Sequence, residues 1–258
     1  MRQALWCNPL FHRFSHTKRL HTIHVGVLRG WRIYSALVDG VNMTLGSYER
    51  DGQRWLQSRL RGGADFVAVD AGCYMGFYSL LIARILSETG GGTVFAFDPN
   101  KNNIACLERS AAANPAAKIV AIANALGSHC GTVRGSASDG VRMVTLVGDR
   151  GASQAEEFTL VTLDSLLETK IFSRVDFIKI DVEGFEMELL HGARKLLERY
   201  RPQILIELHS PALAEAAYDL LVKAGYSFCD LHGQPVSRNR MATAELGYKM
   251  WAEPKRRD

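Results

Sequence analysis

Val175-Asp176-Phe177-Ile178-Lys179-Ile180-Asp181-Val182-Glu183-Gly184 is an apolar run that ends in two acids and a glycine. Its spacing predicts a strand buried in a sheet, with Gly184 supplying the turn that stops it. Asp181 and Glu183 then stand at the carboxyl end of that strand. In an open α/β sheet, ligands bind just outside the carboxyl ends of the strands. Chemistry is therefore expected at this pair of acids.

The flanking sequence repeats the same grammar. Upstream, Phe66 to Asp70 is a second short apolar run, followed by a glycine turn and a helix through Phe77, Leu80, Leu81 and Ile85. Thr93 to Phe97 reads as the next strand, ending at Asp98-Pro99, with a helix through Ile104, Leu107 and Ala111 and a strand over Lys118 to Ile122. Downstream, a helix through Phe185, Leu189, Leu190, Ala193, Leu196 and Leu197 leads to a strand at Gln203 to His209 and an amphipathic helix through Leu213, Ala217 and Leu221. This alternation predicts an α/β fold with a Rossmann-like, doubly wound, mostly parallel sheet. Tyr226 to Leu231 is expected as a further strand, and the segment around Tyr248 and Trp251 as an edge strand, giving seven.

Other segments break the rhythm. Residues 1 to about 30 show no clean period, and a short hairpin is expected within Trp31 to Leu45. A helix is expected within Tyr48 to Leu60. Between 124 and 160 repeated glycines punctuate short pieces, of which Val141 to Val147 reads as part of a β-hairpin excursion. Asp164 is the expected N-cap of a short helix after Val161. We divide the chain into an N-terminal extension, 1–60, and a core domain, 61–258.

The turn Asp70-x-Gly72-x-x-x-Gly76 opens a helix directly after a strand. A dinucleotide fingerprint would read G-x-G-x-x-G; here the spacing differs and an acid stands at the mouth. A cationic nucleoside lacking phosphate, such as S-adenosylmethionine, fits this turn better than NAD. Asp70, Gly72, Cys73, Tyr74 and Gly76 are the expected cofactor residues, and Asp98 is placed to accept hydrogen bonds from ribose hydroxyls.

Over Leu45 to His209 the chain resembles the FkbM-like branch of the class I S-adenosylmethionine-dependent methyltransferases. The motifs that carry the resemblance are LGSYE, VDAGCYMGFYSLLIA, FAFDP, ANALGS, VTLDSLL, FIKIDVEGFEMELLHGA and PQILIELH. Two departures stand out: Cys73-Tyr74 where the family has Ala-Asn, and Asp98-Pro99 where it has Glu-Pro. The resemblance implies O-methylation of a hydroxyl on a small molecule, sugar, glycolipid or other natural product.

An alcohol must lose its proton as it is methylated, which calls for a base or hydrogen-bond acceptor beside it. Asp181 is the first candidate, Glu183 the second and His209 the third. By strand alternation Lys179 and Asp181 share a face, as do Glu207 and His209. Lys179 and Glu207 are expected to compensate each other, since an unpaired buried charge is costly. Asp181, Glu183, Glu207 and His209 are also donors of the kind that hold Mg²⁺ or Mn²⁺, but sequence does not show that they converge, and no metal is assigned. The plainer alternative is a structural network tying the strand ends together. At the level of the whole chain, the alternatives are a non-catalytic scaffold or binding protein on the same fold, or an NAD-linked oxidoreductase.

Composition bounds these readings. The 258 residues are 47% apolar and 22% charged, ordinary for a globular protein with a sizeable core. Before the first acid, Asp39, stand Arg2, Arg13, Lys18, Arg19, Arg29 and Arg32, with four of the eight histidines. This basic start would suit peripheral contact with an anionic membrane surface, or simply a solvated arm. It carries no nucleic-acid reading motif, so nucleic acid is not the expected acceptor. No apolar run is long enough to span a bilayer. Five cysteines without C-x-x-C spacing suggest reduced thiols and a cytoplasmic setting.

Overall fold

The computed structural model describes residues 16–137, 144–147, 156–241, 243 and 248–255. Its centre is a seven-stranded sheet built from β3 (Val67–Ala71), β4 (Thr93–Phe97), β5 (Ile119–Ile122), β10 (Phe177–Ile180), β11 (Gln203–Leu208), β12 (Tyr226–Cys229) and β13 (Tyr248–Pro254). The order is β12-β13-β11-β10-β3-β4-β5. The five strands from β11 to β5 run parallel, and β13 lies antiparallel to both β11 and β12. The doubly wound, mainly parallel fold expected from the sequence is thus present. The order reverses between β10 and β3, the two strands followed by the acid pair and the glycine turn.

Alternation within the strands sends side chains to two cores. Val67, Val69, Ala71, Ile178, Ile180, Ile204, Ile206 and Leu208 pack with α5 (Leu163–Glu168), α6 (Glu186–His191), α7 (Arg194–Tyr200) and α8 (Pro211–Lys223). Ala68, Phe177, Leu205 and Trp251 face the other way, onto α2 (Arg50–Arg59) and α3 (Phe77–Thr89). Asp70 and Lys179 occupy that second face too, since they alternate with Val69 and Ile178. α4 (Lys101–Ala112) covers Ala96 through Ile104 and Leu107.

Several local expectations change. The hairpin near the start pairs β1 (Arg19–Thr22) with β2 (Arg32–Ser35), further upstream than expected, and a 3-10 turn at Leu37–Asp39 is followed after Gly40 by α1 (Val41–Leu45). β2 docks on α4 and the turn after it: Tyr34 N donates to Ser110 Oγ at 2.9 Å and Arg32 N to Asn114 Oδ1, two residues past the helix, at 2.9 Å. Ile23, Leu28, Trp31 and Ile33 join the core over α3.

The helix expected through 185–197 is two helices. A Cβ at Gly192 would stand 1.9 Å from Gly127 O, so the chain there is pressed against the neighbouring turn. Thr162, not Asp164, caps α5, in a reciprocal box with Ser165. Asp164 instead accepts from Lys195 N and Leu196 N, capping α7. Nor is β13 an edge strand. It inserts between β11 and β12 with Trp251 wholly buried, because its apolar centre, Met250-Trp251-Ala252, fits an interior position.

The excursion after β5 forms a separate four-stranded sheet, β6-β9-β7-β8, from β6 (Ala125–Leu126), β7 (Gly131–Ala137), β8 (Val144–Val147) and β9 (Glu156–Val161). β7 and β8 are antiparallel partners, as a hairpin requires. The part of the expected hairpin at 141–143 lies outside the described residues, as do Arg2 and Arg13 of the basic start. Among the described residues, no helix is long and apolar enough to cross a membrane.

Candidate active site

The glycine turn and the acid pair meet because nothing larger than hydrogen fits between them. Gly72 has φ +77°, and a Cβ there would stand 1.7 Å from Asp181 O. The turn is fixed further by Gly72 N and Cys73 N, which both donate to Phe97 O at 2.9 Å. Tyr74 takes a left-handed φ of 49°, and its backbone N donates to Asp98 Oδ2 at 3.0 Å. Gly76, at φ +90°, precedes α3 and presses on Leu107.

A cleft of about 460 Å³ opens at these strand ends. It is lined by Gly72, Cys73 and Tyr74 of the glycine turn with Asp98 and Asn124, and by Tyr48, Tyr78, Lys179, Asp181, Glu183 and Glu207. Val38 and Met43 close it from the N-terminal segment. Of the expected cofactor residues, Gly72, Cys73, Tyr74 and Asp98 line the cleft. Asp70 and Gly76 do not; Asp70 is completely buried beneath it.

Asp98 sits in a nest of donors, accepting from Asn100 N at 2.8 Å and Asn103 Nδ2 at 3.1 Å in addition to Tyr74 N. Burial outweighs these bonds and pushes its carboxyl up to about 7. Burial likewise raises the Cys73 thiol, so it stays protonated.

The charges under the acid pair are arranged by register. Lys179 on β10 stands opposite Asp70 on β3 and Leu205 on β11. Its Nζ lies 2.9 Å from Asp181 Oδ2 and 3.7 Å from Asp70 Oδ1. The expected Lys179–Glu207 pair does not form, because Glu207 is two residues further along β11 and faces Lys249 on β13. Lys249 Nζ binds Glu207 Oε2 at 2.5 Å and Glu49 Oε1 at 3.2 Å. Glu49 also accepts from Tyr78 OH at 2.5 Å.

Burial opposes the charge on Lys179, yet Asp181 and Asp70 overcome it and the ammonium is held well above its ordinary range. Asp70 is raised by burial, although Lys179 and a 2.6 Å bond from Ser79 Oγ oppose the rise. Burial also works to raise Asp181, but Lys179 prevails and its carboxyl is lowered. Glu207 is raised, by burial and then by the neighbouring charge of Asp181.

His209 follows β11 and meets three acids. Its Nδ1 is 2.6 Å from Glu186 Oε1, and its Nε2 is 3.4 Å from Glu183 Oε2 and 3.6 Å from Asp181 Oδ1. Hydrogen bonds to Glu183 and Glu186 raise the imidazole to about 10. All three expected catalytic residues, Asp181, Glu183 and His209, therefore gather in one place. With its lowered carboxyl Asp181 is a strong hydrogen-bond acceptor and a weak base. Glu207, raised and facing the cleft, is the better-matched proton acceptor.

Sequence reasoning missed Tyr48, Glu49, Tyr78 and Lys249, and gave Glu207 a compensating role and a place among possible metal donors but none as a base. Tyr48 and Glu49 belong to the LGSYE motif, which was a usable signal. Lys249 had none, since its place depends on β13 inserting beside β11.

Residues 67–228 match the Methyltransferase FkbM domain. Comparison with the curated proteins gave no sequence match. Among solved structures, a methyltransferase FkbM from Methylobacillus flagellatus KT is similar over 80% of this chain and 46% of its own, with 20% identity and a TM-score of 0.48. This chain thus spans about half of that protein's length. An O-methyltransferase from Bacillus cereus, solved in complex with SAH, is similar over 79% of this chain and 78% of its own, with 18% identity and a TM-score of 0.45. A precorrin-6y C5,15-methyltransferase from Geobacter metallireducens GS-15 covers 81% and 90%, at 11% identity and a TM-score of 0.48. The domain match takes in the glycine turn, Asp98, Asp181, Glu183 and Glu207 and more than half of the sequence, and the chain belongs to the FkbM methyltransferase family.

Proposed function

We propose that this protein is an S-adenosylmethionine-dependent O-methyltransferase acting on a hydroxyl of a small molecule, sugar or natural product. The observation that carries this reading is that one cleft is lined by two unlike sets of residues, which make its two halves: a glycine turn with Asp98, and the acids Asp181, Glu183 and Glu207. The first half suits a nucleoside, with Asp98 accepting from ribose hydroxyls and the tight Gly72 turn admitting the ligand to the backbone. The second half suits a hydroxylated acceptor. A sulfonium methyl is already activated, so the protein's main tasks are to hold the acceptor oxygen in line and to exclude water. Asp181 accepts a hydrogen bond from the acceptor hydroxyl and orients it, while Glu207 takes the proton. The acids also outnumber the cations around the cleft, which favours a positively charged cofactor.

Calorimetry with S-adenosylmethionine and S-adenosylhomocysteine tests the first half. Methyl transfer to a panel of glycans and hydroxylated natural products tests the second. In Asp181→Asn and Glu207→Gln variants, cofactor affinity should persist while turnover falls by roughly 10²–10⁴-fold, as for loss of a general base. Absence of cofactor binding in the unaltered protein would refute the reading. Binding without turnover on any acceptor would favour a binding protein on the methyltransferase fold.

A further inference from the structure

Asp181 and His209, two of the expected catalytic residues, crowd together with Glu207, and each of the three ties one polar atom to a neighbour. Asp181 commits Oδ2 to Lys179, and Glu207 commits Oε2 to Lys249. His209 commits Nδ1 to Glu186, and Nε2 faces Asp181 and Glu183; without a bound ion it is protonated and bonds Glu183, and an ion would displace that proton. One donor atom from each of Asp181, Glu207 and His209 lies within 4.8 Å of the others. A carboxylate that fixes one imidazole nitrogen while the second points at other ligands is the arrangement that supports metal-binding histidines.

A second observation is the state of Glu186 itself. It is completely buried, and its Oε2 has no hydrogen-bond partner among the described residues. The histidine is therefore oriented by a buried carboxylate whose second oxygen its surroundings leave unsatisfied. Asp181, Glu183, Glu186, Glu207 and Glu49 lie around only two lysines, Lys179 and Lys249. The excess is negative.

We infer that Asp181, Glu207 and His209 bind a divalent transition-metal ion, with Glu183 beside them and Glu186 orienting the histidine. Imidazole favours first-row transition ions and carboxylates favour hard ions, so Mn²⁺ meets both preferences where Mg²⁺ meets one. Donors on a single ion stand about 3–4 Å apart, so small side-chain rotations close the set. Once bound, the ion would hold the acceptor oxygen in place of Asp181 and ease its deprotonation, and the uncoordinated Glu183 would stand nearest to take the proton in place of Glu207. The inference places a ligand in the cleft of the proposed transfer, but its test reads the ion on the protein alone, with neither cofactor nor acceptor present.

The full chain, freed of metal with a chelator, is titrated with Mn²⁺ by calorimetry and by the electron paramagnetic resonance signal of the free ion. One site per chain is expected, with Mg²⁺ competing poorly. His209→Ala and Asp181→Asn should abolish saturation, and Glu186→Gln should weaken it by about 10–100-fold. His209→Asn provides a second, more conservative variant, and each variant's thermal melt and S-adenosylhomocysteine affinity show whether it is folded. No saturable Mn²⁺ binding up to about 1 mM would overturn the inference. So would Mn²⁺ binding that folded His209 variants leave unchanged. Failure of the methyltransferase reading would appear separately, as absence of S-adenosylhomocysteine binding in the same sample.

Discussion

Gly72 and Asp181 are in backbone contact: the position a Cβ would take at Gly72 is 1.7 Å from the carbonyl oxygen of Asp181. Two motifs separated by more than a hundred residues are thereby locked at one distance. Gly72→Ala adds a clash with backbone, which cannot move aside as a side chain can, and strains a residue at φ +77°. The expected loss of stability is at least ~2–4 kcal/mol, near the severe end for single substitutions. Urea denaturation of the variant checks this, and a loss under 1 kcal/mol, on the order of an ordinary substitution, would show that the turn relaxes.

Asp98 should make cofactor affinity depend on pH near neutrality. Its carboxyl is raised to about 7 by burial, and the ionised form is the better acceptor for ribose hydroxyls. Affinity for S-adenosylhomocysteine should therefore rise with pH through about 7, changing by up to ~10-fold per pH unit below that point. In the empty protein the sign is opposite. The folded state holds this proton more tightly than the unfolded chain does, so the contribution of Asp98 to stability is greatest in acid and is lost as pH rises through about 7. Calorimetry from pH 5.5 to 8.5, values spanning roughly 1.5 units either side of that midpoint, should give a curve that Asp98→Asn flattens and lowers.

Lys179 should be costly to remove. Lys179→Met leaves Asp70 and Asp181 without their shared cation, and Asp70 is wholly buried with Oδ1 already lacking a hydrogen-bond partner among the described residues. A loss of about 3–5 kcal/mol is expected, the usual result of breaking a buried pair from one side. Asp70→Asn in the same chain should recover part of it. A double-mutant cycle from chemical denaturation measures the coupling, and additive losses would mean the two groups do not interact.

Glu49 and Lys249 should fasten the N-terminal wall of the cleft. Glu49 has a left-handed φ of 44° and bonds both Tyr78 and Lys249. In Glu49→Gln the bond to Tyr78 can persist while the ion pair is lost. Hydrogen exchange over residues 37–49 should quicken by several-fold, on the order of 1 kcal/mol of local stability, while exchange in β3 and β4 stays as it was. Equal change in both regions would assign Glu49 a role in the whole fold instead.

The sheet and its winding were legible because parallel strands buried on both faces leave short apolar runs that nothing else in the chain imitates. That Asp181, Glu183 and His209 stand at strand ends followed from the same runs, but their convergence on one point did not, because it depends on side-chain reach across β10 and β11. Charge pairing was not legible. Lys179 was matched to Glu207 by shared face alone, whereas cross-strand register decides partners, and register set Lys179 against Asp70. The Lys249 contact depended on an antiparallel insertion that local periodicity does not encode. The break at Gly192 was hidden for a similar reason, since the helical spacing continues through it and only the approach of Gly127 interrupts the helix.

The insertion of β13 between β11 and β12 also sets when the cleft can exist. Glu207 and Glu49 acquire their common cation only from Lys249, on the last strand of the sheet. During vectorial synthesis, β3, β4, β10 and β11 are all made before that strand, and β12 must wait apart until it arrives. The acidic end of the cleft is therefore finished late, and a nascent chain stalled before Tyr248 would hold Glu207 and Glu49 without their common cation.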